Sequence, residues 1–208
     1  VEALKDIAPS TSQVISGIAK DSASTISRLS TTRMDSIKGT SGGDTFEGAG
    51  IWAQGLYNHT KQDATATAAG FKANSHGLAI GLDKEITDAL LLGAGYGYMH
   101  TDADSLGQDI EVDGHNFFIY GKYQPNKWYV SSVLNYNYGR YTQKQDPFGI
   151  KIKSKYDVNS YGAQVLTGYD LPYNVTTEIG LRYLYIDADS YYDGIQRVRS
   201  DTSDVLTA

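Results

Sequence analysis

Leu90-Leu91-Leu92-Gly93-Ala94-Gly95-Tyr96-Gly97-Tyr98-Met99-His100 is the stretch of sequence that decides the fold. Its even positions carry leucine, alanine and tyrosine, whereas positions 93, 95 and 97 are all glycine. A period of two is typical of a β-strand, because successive side chains point to opposite faces of a sheet. The stretch therefore predicts a strand with one apolar, aromatic face and one face of very small residues.

Six further segments repeat this pattern on both sides of that strand. The predicted strands are 49–58, 70–82, 90–100, 113–123, 128–141, 157–170 and 176–187. Their connections alternate between short ones (83–88, 124–127 and 171–174) and long polar ones (59–69, 101–112, 142–156 and 188–202). Short turns at one end and long loops at the other are typical of outer-membrane barrels. The sequence thus predicts an all-β fold, a transmembrane antiparallel up-and-down β-barrel of the outer-membrane type.

Composition excludes several other classes of protein. The 208 residues contain no run of about 18 apolar residues, which a membrane helix would need. The lack of cysteine excludes disulfides, thiolate metal sites and cysteine nucleophiles. The net charge of -6 argues against a nucleic-acid partner. The first residues are too polar for a signal peptide, so we expect the chain to be the interior of a longer precursor.

Parity assigns the side chains of each predicted strand to one of two faces. Tyr96, Val165, Leu181 and Tyr183 share the parity of the apolar residues, and we expect them to face lipid. A soluble barrel or sandwich would also alternate, and it stays open as an alternative, although a solvated strand face gains nothing from glycine. The residues expected to line a pore are Gly77, Gly81, Gly93, Gly95, Gly97, Gln164, Glu178 and Arg182.

The first 38 residues predict an amphipathic helix. Pro9 is expected to stop any earlier helix, and Ser10 with Gln13 has the form of a capping box. A helix over residues 11–32 would be ~33 Å long, about the thickness of a bilayer core, but it is too polar for lipid. We expect it inside the pore; a surface or interfacial helix is the alternative. Its named residues are Val14, Ile15, Ile18, Ile26 and Leu29 on the apolar side, and Lys20 and Arg28 on the polar side.

These segments predict three parts of the chain. Residues 1–38 would form the pore-helix segment, 39–48 a linker rich in glycine and serine, and 49–208 the barrel, with seven strands and the start of an eighth. Seven strands cannot close a barrel of even strand number. We therefore expect residues 206–208 at or near a sheet edge that this chain alone does not close.

Three motifs resemble the autotransporter translocator domain of type V secretion. Residues 50–56 (GIWAQGL) are similar to the first strand of that family, and residues 70–72 (GFK) with 77–83 (GLAIGLD) are similar to the second. The resemblance implies a twelve-stranded barrel in the outer membrane of a Gram-negative bacterium. It also implies that the helix occupies the pore after translocation, with the passenger at the cell surface on its N-terminal side. Some family members cleave themselves with an asparagine in the helix, but no asparagine precedes Asn58 here.

No arrangement of residues indicates an enzyme, a cofactor or a metal site. Four histidines, at 59, 76, 100 and 115, are expected near the outer strand ends, the last three pointing outward at the rim. The pairs Asp102/Asp104 and Asp187/Asp189 have the chemistry of calcium ligands, but the simpler reading is that they begin solvated loops.

Two inward charges, Glu178 and Arg182, need partners because they lie ~13 Å apart along one strand. The candidates are Asp83 and Lys122 on other strands, and Lys20 and Arg28 on the helix.

The sequence therefore predicts a translocator that exports or anchors its own N-terminal passenger. The expected partners are membrane lipid and lipopolysaccharide, the passenger, and the barrel-assembly machinery during insertion. A diffusion porin or adhesin-like barrel is the first alternative, and an outer-membrane enzyme with a rim active site is the second.

Overall fold

The structure is a computed structural model, and it describes residues 7–37, 49–64, 70–105, 107–145, 152–172, 175–192, 197–198 and 201–207. One helix is present in this part of the chain, α1 (Ile7–Ile37). The strands are β1 (Ala49–Gln62), β2 (Phe71–Thr87), β3 (Leu90–Ser105), β4 (Gln108–Tyr123), β5 (Trp128–Gln145), β6 (Ile152–Leu171), β7 (Val175–Ala188), β8 (Tyr191–Tyr192), β9 (Arg197–Val198) and β10 (Asp201–Thr207).

Eight of the strands form one antiparallel sheet in the order β1-β2-β3-β4-β5-β6-β7-β10. The small hairpin of β8 and β9 lies in sequence between β7 and β10 and pairs only with itself. Each strand of the large sheet is therefore hydrogen-bonded to the next one along the chain, as the up-and-down prediction requires. Within the described residues, the outer edges of β1 and β10 carry no partner strand, so Leu206 lies in an open edge strand as expected.

The strands are longer than the sequence predicted, and the loop prediction for 101–112 is wrong. β3 continues to Ser105 and β4 begins at Gln108, so the two strands meet at a tight turn in which Gly107 has a φ of 71°. The inner side chains at Ala103 and Ile110 are apolar and buried, and that of Gln108 is polar and buried, while the outer ones are charged. The polar composition of residues 101–112 is therefore like that of a loop, although the residues continue the strands of the sheet. Residues 142–145 and 152–156, also predicted as loop, are strand as well; residues 146–151 lie outside the described part.

Alternation divides the sheet into an inner face, which contacts α1, and an outer face. The outer positions include Val165, Leu181 and Tyr183, which are 51%, 57% and 43% exposed, and the half-buried Tyr96. All four lie on the face that the parity argument predicted. Exposed apolar side chains in this number are typical of a surface that meets lipid rather than water.

The helix is longer than predicted at both ends. It begins at Ile7, so Pro9 lies within the first turn, where its missing N–H breaks no hydrogen bond. The proposed capping box is wrong, because Ser10 is already helical. The helix continues past residue 32 because buried Met34 and partly buried Ile37 extend its apolar stripe. Among the described residues, no helix combines the length and the hydropathy needed to cross a membrane.

The core lies between α1 and the inner face and consists of two apolar clusters. The first cluster, which we call the rim cluster, joins the N-terminal half of the helix, including Val14 and Ile18, to inner residues such as Phe71, Ile110 and Tyr156. The second cluster, which we call the base cluster, joins the C-terminal half of the helix to a second set of inner residues. That set includes Trp52, Leu91, Phe118, Tyr120 and Val133. The inner face is thus less uniformly small and polar than the sequence predicted.

Candidate functional site

The candidate site is the space on the inner face that α1 fills. The helix contacts β1, β3, β4, β5, β6 and β7. Its buried residues face the sheet, and Val14 and Ile26 are 0% exposed. A second stripe of the helix is polar and exposed. That stripe contains Lys20, Arg28, Thr32 and Asp35.

An ion pair holds the C-terminal end of the helix. Arg33 donates two hydrogen bonds to the carboxylate of Asp83, Nε to Oδ2 at 2.7 Å and Nη2 to Oδ1 at 3.1 Å. Asp83 also accepts a 2.9 Å hydrogen bond from the Tyr120 hydroxyl, which in turn accepts one from Trp52 Nε1 at 2.9 Å. The side chain of Asp83 is only 4% exposed. A buried carboxylate with three donors arranged around it fixes the position of the group that neutralises it.

A second ion pair involves Asp35, two residues further along the helix. Lys122 Nζ, on β4, donates to Asp35 Oδ1 at 2.5 Å and lies 4.2 Å from the centroid of the Tyr129 ring. The hydroxyl of Tyr129 donates to Glu178 on β7. We call Arg33, Asp35, Asp83 and Lys122 the basal ion pairs.

A layer of hydrogen bonds at the middle of the helix lies between the two apolar clusters. Ser22 of the helix donates to Asn116 Oδ1 at 3.2 Å and accepts from Asn137 Nδ2 at 2.9 Å. Further along the helix, Arg182 Nη1 donates to Ser24 Oγ at 2.7 Å and its Nε to Gln164 Oε1 at 2.8 Å. The middle of the helix is therefore hydrogen-bonded to side chains of β4, β5 and β7, in addition to the ion pairs at its C-terminal end.

The predicted pore glycines all lie on the inner face, but only Gly97 lies against the helix. A Cβ at Gly97 would come within 3.4 Å of Ile26 Cδ1. At Gly93, Gly95 and Gly81 the added atom would collide with the rings of Tyr120, Phe118 and Trp52. At Gly77 it would meet the backbone of β3. The nearest neighbours of these glycines, apart from Gly97, are thus inner aromatic rings and the neighbouring strand, and their role in lining a pore stays a prediction.

The predicted partners of Glu178 and Arg182 also need correction. Glu178 pairs with a tyrosine rather than with Lys20 or Arg28, both of which are exposed. Arg182 contacts Gln164 and the helix rather than Asp83. Asp83 and Lys122 do pair, but with Arg33 and Asp35, which lie beyond the predicted end of the helix. The apolar spacing that continues through Met34 and Ile37 was the signal that would have extended the helix to include them.

The helix has a defined direction relative to the two ends of the sheet. Its C-terminal end lies beside Asp83 and Lys122, close to the tight turns at 88–89 and 124–127. Its N-terminal half lies near the opposite end, where Ser16 Oγ is 3.3 Å from Ser203 Oγ and a Cβ at Gly17 would lie 2.6 Å from Phe71 Cζ. We call the end with the tight turns the base and the other end the rim.

Aromatic rings mark two levels on the outer face. The upper belt crosses five adjacent strands, with neighbouring centroids 5.1 to 6.4 Å apart, and a lower belt lies near the base. The two belts consist of Tyr96, Phe117, Tyr136, Tyr161 and Tyr185 above, and Tyr123, Trp128 and Tyr169 below. A second upper row holds Tyr98, His115 and Tyr138. Ten residues separate Trp128 from Tyr138, ~33 Å along a strand and ~25 Å along the normal at a ~40° tilt. That height matches the apolar band of an outer-membrane barrel.

Above the upper belt the outer face becomes charged. His76, His100 and His115 lie on the outer face at this boundary, as predicted, and His100 Nδ1 is 2.9 Å from Asp113 Oδ1. Asp102 and Asp104 belong to β3 rather than to a loop. Lys144 Nζ donates to Glu111 Oε1 at 2.5 Å, and this hydrogen bond is the main cause of the lowered pKa of Glu111, which lies in the rim beyond the apolar band. In the described part of the chain, no group of three or more acidic or histidine side chains is placed to hold a metal ion.

The family model of the autotransporter beta-domain matches residues 51–208. This range contains all of the strands except the first two residues of β1. The chain belongs to the autotransporter β-domain family. The family predicted from residues 50–56 and 70–83 is therefore confirmed.

Curated relatives of this autotransporter domain are outer-membrane proteins of Rickettsia. Outer membrane protein B of Rickettsia prowazekii (strain Madrid E) is 28% identical over 172 residues, covering 73% of this chain. The protein of the same name from Rickettsia rickettsii is 31% identical over 162 residues, covering 68% of this chain. The chain spans 10% of the length of each of these relatives.

Two solved structures share the fold of this domain. The translocator domain of the autotransporter NalP from Neisseria meningitidis aligns with a TM-score of 0.68 at 17% identity, over 89% of this chain and 68% of that one. The β domain of the Bordetella autotransporter BrkA aligns with a TM-score of 0.55 at 19% identity, over 76% of this chain and 68% of that one. The predicted class of barrel with an N-terminal helix, the outer-membrane location and the role as a translocator domain are confirmed.

Proposed function

We propose that this autotransporter domain carries its own passenger to the bacterial surface, with the passenger attached on the N-terminal side of α1. The observation that carries the proposal is the direction of the helix. Outer-membrane barrels place their short turns in the periplasm. The base therefore corresponds to the periplasmic side, and the N-terminal half of α1 lies at the rim, toward the outside of the cell.

The mechanism is physical rather than chemical, and we propose no catalytic role. A chain in transit must keep its amide groups away from hydrocarbon, where each unpaired group costs several kcal/mol. The inner face offers hydrogen-bonding side chains at three levels, from Ser203 at the rim through Asn116 and Asn137 to Asp83 at the base. After transit the same groups hold α1 and narrow the passage.

A closed wall requires strands beyond the eight of the sheet. We propose that further strands of the same protein pair with the open edges of β1 and β10. The exposed polar stripe of α1, including Lys20 and Arg28, would then face those strands. The proposed division of labour is a pore-helix segment at 1–38, a linker at 39–48 and barrel wall at 49–208; residues 1–6 and 38–48 lie outside the described part.

We also propose the partners that this role demands. Lipid would cover the outer band between the belts, and lipopolysaccharide would surround the upper part of the wall. The barrel-assembly machinery would insert the domain, pairing by strand addition with an edge that is open during assembly. No role requires nucleic acid.

Surface display tests the proposal directly. An epitope placed immediately before residue 1 of the domain, in the full-length protein, should become accessible to antibody and to added protease on intact cells. A variant in which an unrelated outer-membrane barrel replaces this domain provides the control. An epitope that stays in the periplasm while the barrel is folded in the outer membrane would contradict export.

Conductance separates the translocator from the porin alternative. In planar lipid bilayers, deletion of residues 1–38 from the complete barrel should raise the single-channel conductance markedly, because it removes the helix from the lumen. A porin whose conductance is limited by a loop would show the same conductance with and without these residues.

A further inference from the structure

A group of basic side chains lies on the outer face just above the upper belt, on β5 and β6. Arg140 and Lys144 alternate with Thr142 along β5, and Lys153 and Lys155 lie two residues apart on β6. The register places Lys144 directly opposite Lys153, and Lys155 opposite Thr142. All four side chains are exposed.

One of these cations forms an ion pair within the wall, and a second lies opposite an acidic residue. Lys144 pairs with Glu111 at 2.5 Å, and Arg140 lies opposite Asp157. Lys153 and Lys155 make no ion pair with any residue in the described part of the chain. Like charges directly opposite each other destabilise a sheet. Glu111 offsets part of this repulsion for Lys144 and Lys153, whereas Lys155 lies opposite an uncharged residue, Thr142.

The height of the group selects the kind of anion. Lys155 lies opposite Thr142, which is four residues beyond Tyr138 at the top of the apolar band, ~13 Å along the strand and ~10 Å along the normal. Aromatic belts lie at the boundary between hydrocarbon and head groups. These lysines therefore project from the wall at the level of the polar parts of the surrounding lipid, on its lipid side.

The neighbouring strands restrict where that anion can lie. The outer face of β3 and β4 at the same level carries Asp102, Asp104 and Asp109, and Asp104 is directly opposite Asp109. This acidic strip repels a lipid phosphate, whereas β5 and β6 attract one. Charge complementarity thus favours one sector of the wall.

We propose that Lys153 and Lys155, supported by Lys144 and Arg140, bind the phosphate groups of lipopolysaccharide in the outer leaflet. The inference rests on the proposed function, because it requires the rim to face the outside of the cell. It assigns the partner to two adjacent strands rather than to the whole circumference.

Binding of lipid A to the full-length protein, purified in its folded form, tests this site. Fluorescent lipid A that carries its phosphates should bind the wild type, and a Lys153→Gln/Lys155→Gln variant should bind roughly 30-fold more weakly, since each lysine near an anionic surface contributes about 1 kcal/mol. A Lys84→Gln/Lys127→Gln variant is the matched control: it removes two exposed lysines at the base and should bind as the wild type does.

The contradictory outcomes are distinct. Equal binding by the rim variant, or equal binding of lipid A from which the phosphates have been removed, would overturn the site. Displacement of lipid A by inorganic phosphate at equal concentration would indicate a site for free anions and would also overturn it. Passenger display measured with the wild-type protein keeps the two proposals apart: absence of display, with lipid A binding that still depends on Lys153 and Lys155, would count against the proposed function alone.

Discussion

The two halves of the lumen hold the same helix by different means. At the rim, Val14 and Ile18 pack into an apolar cluster, and Ser16 with Ser203 makes the described polar contact. At the base, Arg33 and Asp35 form ion pairs with inner charges of the wall. Apolar packing tolerates sliding and repacking, whereas a buried carboxylate accepts few arrangements of donors. The base therefore fixes the register of the helix. The rim cluster packs around the N-terminal half of the helix in the position that the base determines.

Breaking the Arg33–Asp83 pair should have the largest effect. Asp83→Ala leaves the Arg33 charge and the Tyr120 hydroxyl without their acceptor, and we expect a loss of about 3 kcal/mol, at the low end for buried pairs because Arg33 is 28% exposed. The measurement is denaturant unfolding of the full-length barrel, together with protease sensitivity of the helix from the base. A stability like that of the wild type would show that the pair does not hold the helix.

Truncating the rim cluster should cost less and should act at the other end. Ile18→Ala removes a side chain that is 4% exposed, and we expect about 2 kcal/mol, near the lower limit for such changes because water can enter the gap from the rim. Limited proteolysis from outside should then cut the N-terminal half of α1 first. Cleavage near Arg33 instead would remove the distinction between the two halves.

Two inner glycines allow a finer test. Gly93→Ala should cost about 1–3 kcal/mol by forcing the Tyr120 ring away from Asp83. Gly97→Ala should cost less than about 1 kcal/mol, because the new methyl group meets only the flexible end of Ile26 at 3.4 Å. Unfolding midpoints of the two variants, measured side by side, provide the comparison. The opposite order would mean that the helix, rather than the aromatic ring, limits the space above these strands.

Of the two ion pairs, Asp35–Lys122 should have the smaller effect. Asp35 is 56% exposed, and the Lys122 ammonium, whose side chain is 7% exposed, keeps its contact with the Tyr129 ring, so Asp35→Ala should cost about 1 kcal/mol. This variant is the matched control for Asp83→Ala, because it removes a carboxylate from the same end of the lumen. If both changes cost the same in the unfolding experiment, burial would not be what distinguishes them.

Strand parity could be predicted from the sequence because lipid imposes a simple rule on one face. Leu181 and Val165 lie outward because every second position of their strands is apolar. The rule does not extend above the upper belt. There the outer face is charged rather than apolar, and residues 101–112 therefore have the composition of a loop. Ala103 and Ile110 nevertheless point inward and are buried.

The contacts of the helix could not be predicted, because they depend on distances between residues far apart in sequence. Arg33 and Asp83 are separated by 50 residues, and Ser22 and Asn137 by 115. The inner glycines were identified correctly as inward, but their neighbours were not. Alternation places Gly93 and Tyr120 on the same face without saying that one lies under the other.

Disulfide trapping tests the central claim, that α1 lies inside the wall, most directly. The chain has no cysteine, so an introduced pair has no competing thiol in this domain. Ser22→Cys with Asn137→Cys replaces two side chains that are hydrogen-bonded at 2.9 Å, and the pair should cross-link in intact cells on mild oxidation. Ser22→Cys with Tyr136→Cys, one residue earlier and on the outer face, should not. Equal cross-linking of the two pairs, or none in the inner pair, would contradict a helix held in the lumen.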